Sequence, residues 1–130
     1  MRVCGLLFHM KKTLVTGASE NPARYSNKAI RLLRSLDYEV VALGRREGKI
    51  LDVEILTGKP QLHDVDTITM YLGAKNQEPY EDYFLSLNPR RIIFNPGAGN
   101  PSLERKAHEA GIIVAHECTL VLLRVGAYDH

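Results

Sequence analysis

Cysteine is scarce in this 130-residue chain. The two present, Cys4 and Cys118, lie far apart with no Cys-x-x-Cys pair and no framework spacing. That argues against a disulfide-stapled secreted scaffold and suits a reducing compartment. An excess of one charge is also missing: 17 Lys and Arg stand against 15 Asp and Glu, for a formal net charge of +2. So small a balance makes neither nucleic acid nor an anionic membrane the main partner, and any basic site must be local. Long apolar runs are absent too. Val3-Cys4-Gly5-Leu6-Leu7-Phe8 follows one Arg, is short for a signal core and lacks a small-residue cleavage site, and no other stretch could span a bilayer. The expectation is a cytoplasmic protein with no membrane partner.

Repeats, low-complexity tracts and linkers are lacking as well. One domain over 10–126 is expected, and 45% hydrophobic residues suffice for a continuous core without staples. Met10-Lys11-Lys12-Thr13 leads directly into the first strand pattern, which makes Met10 an alternative start and 1–9 an N-terminal extension. Ala127 to His130 reads as a fraying tail.

What is present is an alternation of two periodicities. Thr13-Leu14-Val15-Thr16, Val40 to Leu43, Thr67 to Leu72, Ile92-Ile93-Phe94 and Ile112 to Ala115 are short runs that suit strands buried on both faces. Between them, Asn27 to Leu36 repeats apolar residues at Ile30, Leu33 and Leu36, and Tyr80, Tyr83, Phe84 and Leu87 keep helical spacing. Another helix is predicted from Asn100 as N-cap and Pro101 as first helical residue, with Leu103, Ala107 and Ala110 inward and Gly111 ending it. A last helix is predicted over about Thr119 to Arg124. The segment from Gly48 to Asp66 breaks the rhythm: Ile50-Leu51 and Val53 to Leu56 are short extended candidates, Gly58-Lys59-Pro60 is turn chemistry, and a short edge strand is expected there. Strict alternation predicts right-handed crossovers, hence an α/β, doubly wound, Rossmann-like parallel sheet in a single three-layer domain.

Ligands of such sheets sit outside the carboxyl ends of the strands, so the loops there are the ones to read. After the first strand comes Gly17-Ala18-Ser19-Glu20-Asn21-Pro22. Gly17 permits a tight turn with close backbone approach, Ser19 adds a hydroxyl, and Arg24, Tyr25 and Ser26 lead into a helix start that favours an anion. The loop suits a diphosphate. It also reads as an ordinary polar strand-to-helix turn.

The loop after the second strand discriminates better. An NAD site wants Gly-x-Gly-x-x-Gly after strand one and an acid near the end of strand two, and both are missing. Gly44-Arg45-Arg46 stands there instead, with Lys49 nearby, a set suited to an extra phosphate on the adenine ribose. Coenzyme A and NADP both carry one. Tyr71, Leu72 and Gly73 end the next core run and can wall the nucleotide, although Tyr71 is as readily core. Asn95-Pro96-Gly97-Ala98-Gly99 makes a sharp turn at the same rim, able to present backbone donors. His116-Glu117-Cys118 has no further ligands at metal spacing, and sequence neighbours in extended chain point different ways, so Cys118 is expected to be a buried packing residue. No role is assigned to His63 or His108.

These residues resemble the CoA-binding-domain family, particularly its short stand-alone bacterial members, from about Lys12 to Arg124. Val15-Thr16-Gly17-Ala18-Ser19 with Pro22 and Ser26 is similar to that family's first loop. Asp37-Tyr38-Glu39-Val40 resembles its lead-in to strand two, and Asp64-Val65-Asp66 precedes the next main strand. Asn95-Pro96-Gly97, Asn100, Ala107, Ala110-Gly111-Ile112 and Cys118 follow in order. The resemblance implies the fold of the nucleotide-binding domain of the succinyl-CoA synthetase alpha subunit, with coenzyme A contacts at Gly17 to Ser19, at Arg45 or Arg46, and at Tyr71 to Gly73. It does not imply ligase chemistry, since that synthetase uses a phosphorylated histidine in a second domain. The chain departs from the family at Gly44-Arg45, where Asn-Pro is frequent, and at Gly99, where an acid is frequent.

The reading is thus of a module that binds coenzyme A or an acyl-CoA without catalysis by this chain alone. One alternative is an NADP-dependent oxidoreductase, disfavoured by the missing glycines and the lack of a proton donor. Another is a regulatory or interaction subunit of a CoA-using enzyme, or a ligand-tuned homodimer, which exposed apolar surface on the last helix would support.

Overall fold

The computed structural model describes residues 11–129. Cys4, Met10 and the 1–9 extension, together with His130, lie outside the described residues. Seven strands form one sheet: β1 (Lys12–Ala18), β2 (Glu39–Gly44), β3 (Gly48–Ile50), β4 (Val53–Leu56), β5 (Val65–Met70), β6 (Arg91–Phe94) and β7 (Ile113–His116). Their order is β3-β4-β2-β1-β5-β6-β7. All neighbours pair in parallel except β3 with β4. Without the β3 edge this is a Rossmann-like sheet, with its switch point at β1 between β2 and β5.

Alternation along buried strands sends successive side chains to opposite faces, and each face meets its own helices. Leu14, Ile68, Met70, Ile92 and Phe94 pack with Phe84, Leu103 and Ala107. Val15, Ala42 and Ile93 pack on the other face with Ile30, Leu33 and Leu123. These contacts place α1 (Tyr25–Ser35) and α5 (Thr119–Arg124) on one face. The segment α2 (Ala74–Gln77), a 3-10 turn (Glu78–Tyr80) and α3 (Glu81–Ser86) covers the other with α4 (Pro101–Glu109).

The helix ends follow from local chemistry. Asn100 caps α4 by accepting the Leu103 N–H, with Pro101 next, as predicted. Gly111, at φ 79°, ends it, and Ile112 N–H returns to the Ala107 carbonyl at 2.9 Å. Asp37 takes the same left-handed place after α1 at φ 66°, and Tyr38 N–H returns to Leu33 at 3.0 Å.

Several expectations are corrected. Gly48 to Asp66 holds the expected edge strand, β3, and a second strand, β4, because Leu51 at φ 54° turns the chain back antiparallel. Of these two, β3 lies at the edge and β4 registers against β2 through Ala42 with Ile55 and Leu43 with Leu56. The stripe around Tyr80 is not one helix, since Pro79 donates no N–H and the helix restarts at Glu81. Leu36 and Ala110 lie at helix ends and are exposed, not inward. The tail is the largest difference. Tyr128 is 3% exposed, packs edge-on to Tyr38 at 5.2 Å, and shares a 2.7 Å hydrogen bond with Thr13 Oγ1. The Arg91 guanidinium lies 4.7 Å from its ring centroid.

Candidate functional site

The switch point is a set of close backbone approaches. Gly17 sits at φ 78°, and a Cβ there would stand 3.3 Å from the backbone of Tyr71 and Leu72. On the other side Ala18 registers with Gly44, where a Cβ would be 2.5 Å from the Ala18 carbonyl oxygen. These two glycines bring the ends of β1, β2 and β5 into one rim. The predicted groups 17–19, 44–46 and 71–73 therefore stand together.

Side chains from α1 hold the first turn in place. Ser26 Oγ donates to the Gly17 carbonyl at 2.9 Å, and Asn27 Nδ2 donates to the Ser19 carbonyl at 2.8 Å. Ser19 Oγ accepts the Asn21 N–H, and Asn21 Oδ1 accepts the Ala23 N–H. Ser26 is thus a buried brace for the turn. Arg24 takes the N-cap position in extended conformation, and no side chain caps the helix. First-turn N–H groups have no partner within a helix, so with the dipole they form a positive end facing the turn.

Around this end the charge is basic and available. Arg24, Arg45 and Arg46 are exposed, and no carboxylate pairs with them among the described residues. Tyr25 is exposed and has the Lys28 ammonium 5.8 Å from its ring centroid. Glu20 carries no positive role but ties the rim: its Oε2 accepts the Lys49 N–H at 2.9 Å, joining the first loop to β3. Glycine cradles, an uncapped helix start and unpaired guanidinium groups are a donor set that fits a nucleotide with a diphosphate and a further phosphate.

Tyr71 is mainly core. It packs with the residues on the α1 side, its hydroxyl is buried without a well-formed hydrogen bond, and burial pushes that hydroxyl up to about 12. Leu72 and Gly73 follow at the rim, with the Leu72 carbonyl accepting from Gln77 Nε2 at 2.7 Å. The same Gln77 nitrogen reaches the Ala98 carbonyl at 2.7 Å, so one buried side chain ties the loop after β5 to the loop after β6. Asn95 is 3% exposed. Its Nδ2 donates to Thr69 Oγ1 and the Met70 carbonyl, and its Oδ1 accepts the Thr119 N–H at 2.8 Å. Asn95 therefore positions the turn, while Pro96 and Gly97 are exposed and face solvent.

Two clefts flank this rim. One, of about 410 Å³, opens between α2, α3 and α4 and is lined in part by Lys75, Glu81 and Lys106. Burial raises the Glu81 carboxyl, but hydrogen bonds from Asn100 and Lys106, the Lys106 charge and the Ser102 hydroxyl outweigh it and hold it below the usual range. The other, of about 430 Å³, lies at the ends of β6 and β7 and brings together Gly97, His116 and Cys118. This corrects the reading of Cys118 as a buried packing residue: it is half-buried, and as i and i+2 the two residues share a side of the chain. His116 Nε2 lies 2.8 Å from Glu104 Oε1, with its ring stacked on Phe94 at 5.8 Å.

Asn27, Gln77 and Glu20 were not foreseen. Asn27 left one legible signal, since it stands three residues before Ile30 on the inward stripe, where a polar side chain needs a buried partner. Gln77 and Glu20 left none, because their partners are backbone groups distant in sequence.

A parallel sheet with a glycine turn at its switch point and an uncapped helix start defines the Rossmann-like class of phosphate-ligand domains. Comparison narrows the class. The sequence profile of the CoA binding domain family matches residues 11–124, and the chain belongs to that family. A crystal structure described as an uncharacterized protein is 42% identical, with a TM-score of 0.87 over 91% of this chain and 98% of its own. A Thermus thermophilus protein has 21% identity and a TM-score of 0.80, covering 97% and 96%. The dinucleotide forming acetyl-coenzyme A synthetase 1 of Ca. Korarchaeum cryptofilum, in complex with phosphate and ADP, has 20% identity and a TM-score of 0.68 over 90% of this chain but 28% of its own. The last two likenesses concern the fold. A comparison with curated proteins gave no match. Among the described residues no helix is long and apolar enough to cross a membrane.

Proposed function

We propose that this chain binds coenzyme A or an acyl-CoA at the rim formed by β1, β2 and β5, without catalysis by this chain alone. The observation that carries the reading is the Ala18 to Gly44 contact, which joins the exposed Arg45-Arg46 loop to the turn that leads into the uncapped start of α1. In this reading the turn 17–19 and the first N–H groups of α1 hold the diphosphate, and Arg24 supplies charge. Arg45 and Arg46 hold the ribose phosphate through charge-assisted hydrogen bonds. Leu72, Gly73 and the exposed part of the 95–97 turn border the pantetheine.

Calorimetry with coenzyme A, 3′-dephospho-coenzyme A, NADP and NAD tests it. Coenzyme A is expected to bind about tenfold or more tightly than its dephospho form, since each hydrogen bond to a charged group contributes roughly 1.5–3 kcal/mol. Replacing Arg45 and Arg46 together by Ala should erase that difference. Equal affinity for all four ligands would sink the reading, and release of coenzyme A from acyl-CoA above the spontaneous rate would sink its non-catalytic part.

A second reading, association with another subunit or a second copy, is favoured by apolar surface on and beside α5. Val121 is 52% exposed, Val125 68%, and Ile113 on the outer strand β7 49%. Light scattering should then show a mass that changes on adding coenzyme A. A monomer throughout argues against ligand-tuned self-association.

A further inference from the structure

The sheet order gives a ligand on the rim a direction. Arg45 and Arg46 follow β2, the diphosphate turn follows β1, and β5, β6 and β7 continue on the opposite side. With strands about 4.8 Å apart, β6 and β7 lie roughly 10 and 14 Å from β1. A pantetheine arm has two amide units and a terminal thiol, a chain comparable to four extended residues, or roughly 13 Å. An arm starting at the diphosphate turn and leading away from the arginines ends at the carboxyl ends of β6 and β7. There the cleft of about 430 Å³ is bordered by Phe94, Pro96, Gly97, His116, Glu117 and Cys118.

The charge of this cleft is one-sided. Among the described residues no Lys or Arg lines it, Glu117 does, and its one basic group, His116, is already engaged by Glu104. Glu104 is fixed in that role, because its other oxygen accepts the Asn100 N–H at 2.7 Å. A carboxylate entering the cleft meets the Glu117 carboxylate and a histidine already paired with Glu104, whereas a methyl or methylene meets Phe94, Pro96 and the half-buried thiol. The other cleft is different in kind. It has Lys75 and Lys106, but its walls are helices, not strand ends, and Lys106 is held by Glu81 at 3.1 Å.

We infer that the cleft at the ends of β6 and β7 receives the thiol or acyl end of the ligand and selects uncharged short acyl groups over those ending in a carboxylate. The inference rests on the coenzyme A reading above. Butyryl-CoA and succinyl-CoA make the sharpest comparison, since both acyl chains have four carbons and differ mainly at the far end. Calorimetry on the full chain should find succinyl-CoA about tenfold weaker than butyryl-CoA, the sign expected for like charges brought together in a partly desolvated site. Glu117→Gln should narrow that gap to about threefold or less. In a Cys4→Ser background, saturating butyryl-CoA should slow maleimide labelling of Cys118.

Equal affinity for the two acyl-CoAs, or labelling of Cys118 that bound butyryl-CoA leaves unchanged, would overturn the inference. If coenzyme A itself still binds, only the acyl selection falls. If none of these ligands binds, the reading beneath it falls as well.

Discussion

Tyr128→Ala should lower the unfolding free energy by about 3–5 kcal/mol, the range for removing a large buried aromatic ring. The ring is 3% exposed and closes the α1 side of the core against Tyr38. Its loss also uncovers Arg91, which is 4% exposed, has its guanidinium against that ring, and whose side chain donates one hydrogen bond among the described residues, to Thr67 Oγ1 at 3.3 Å. A buried cation deprived of its neighbour adds to the cavity cost. Tyr128→Phe keeps the ring and removes only the hydrogen bond with Thr13, so it should cost about 1 kcal/mol. Truncation after Val125 should match or exceed Tyr128→Ala. Denaturant melts of the three variants check the order, and a Tyr128→Ala loss below about 1 kcal/mol would show that the tail is not part of the core.

That tail also shows where sequence pattern stops being informative. Periodicity reports faces of helices and strands, and Gly126-Ala127-Tyr128-Asp129 belongs to neither, so a lone aromatic beyond the last helix has no pattern to betray its burial. The strands could be read because a parallel sheet covered on both faces demands unbroken β-branched runs. The helix caps could be read because Asn100-Pro101 and Gly111 each solve a local hydrogen-bonding or steric problem. The hairpin of β3 and β4 could be read only as short extended candidates, not as a pairing. Its three- and four-residue strands are too short to establish a period, and its direction is set by Leu51 in a left-handed conformation that the sequence does not announce.

The candidate site divides along the same line. Gly17 and Gly44 are legible, since glycine marks close approach, and the exposed place of the two arginines follows from their position just past a buried strand. The residues that hold the rim together, Asn27, Gln77 and Asn95, act through hydrogen bonds to backbone atoms 5 to 25 positions away. Such partners exist only once the chain is folded. Asn95 and Ser26 show the same from the other side: sequence places both in ligand-facing loops, and in the fold their polar side chains brace the turns.

Gly44→Ala is the second substitution with a large expected effect, and it acts on fold and ligand together. The added Cβ would lie 2.5 Å from the Ala18 carbonyl oxygen and 2.9 Å from Ile55 Cγ2. The Ile55 methyl can rotate away, but the carbonyl belongs to the bulged end of β1 and moves only with the turn it starts. Relief therefore requires the first loop and the Arg45-Arg46 loop to part, at a cost of about 2–3 kcal/mol typical of overpacking against a rigid neighbour. On the proposed coenzyme A reading, separating the first turn from the arginine pair should also weaken coenzyme A by about tenfold, because each half then binds with less of the other's preorganisation. Gly99→Ala is the control: its Cβ would meet nothing nearer than a Glu104 oxygen at 3.7 Å, so stability should change little. If Gly44→Ala keeps both stability and coenzyme A affinity, the rim does not depend on this contact. If stability falls and affinity holds, the arginines reach the ligand independently of the β1 turn.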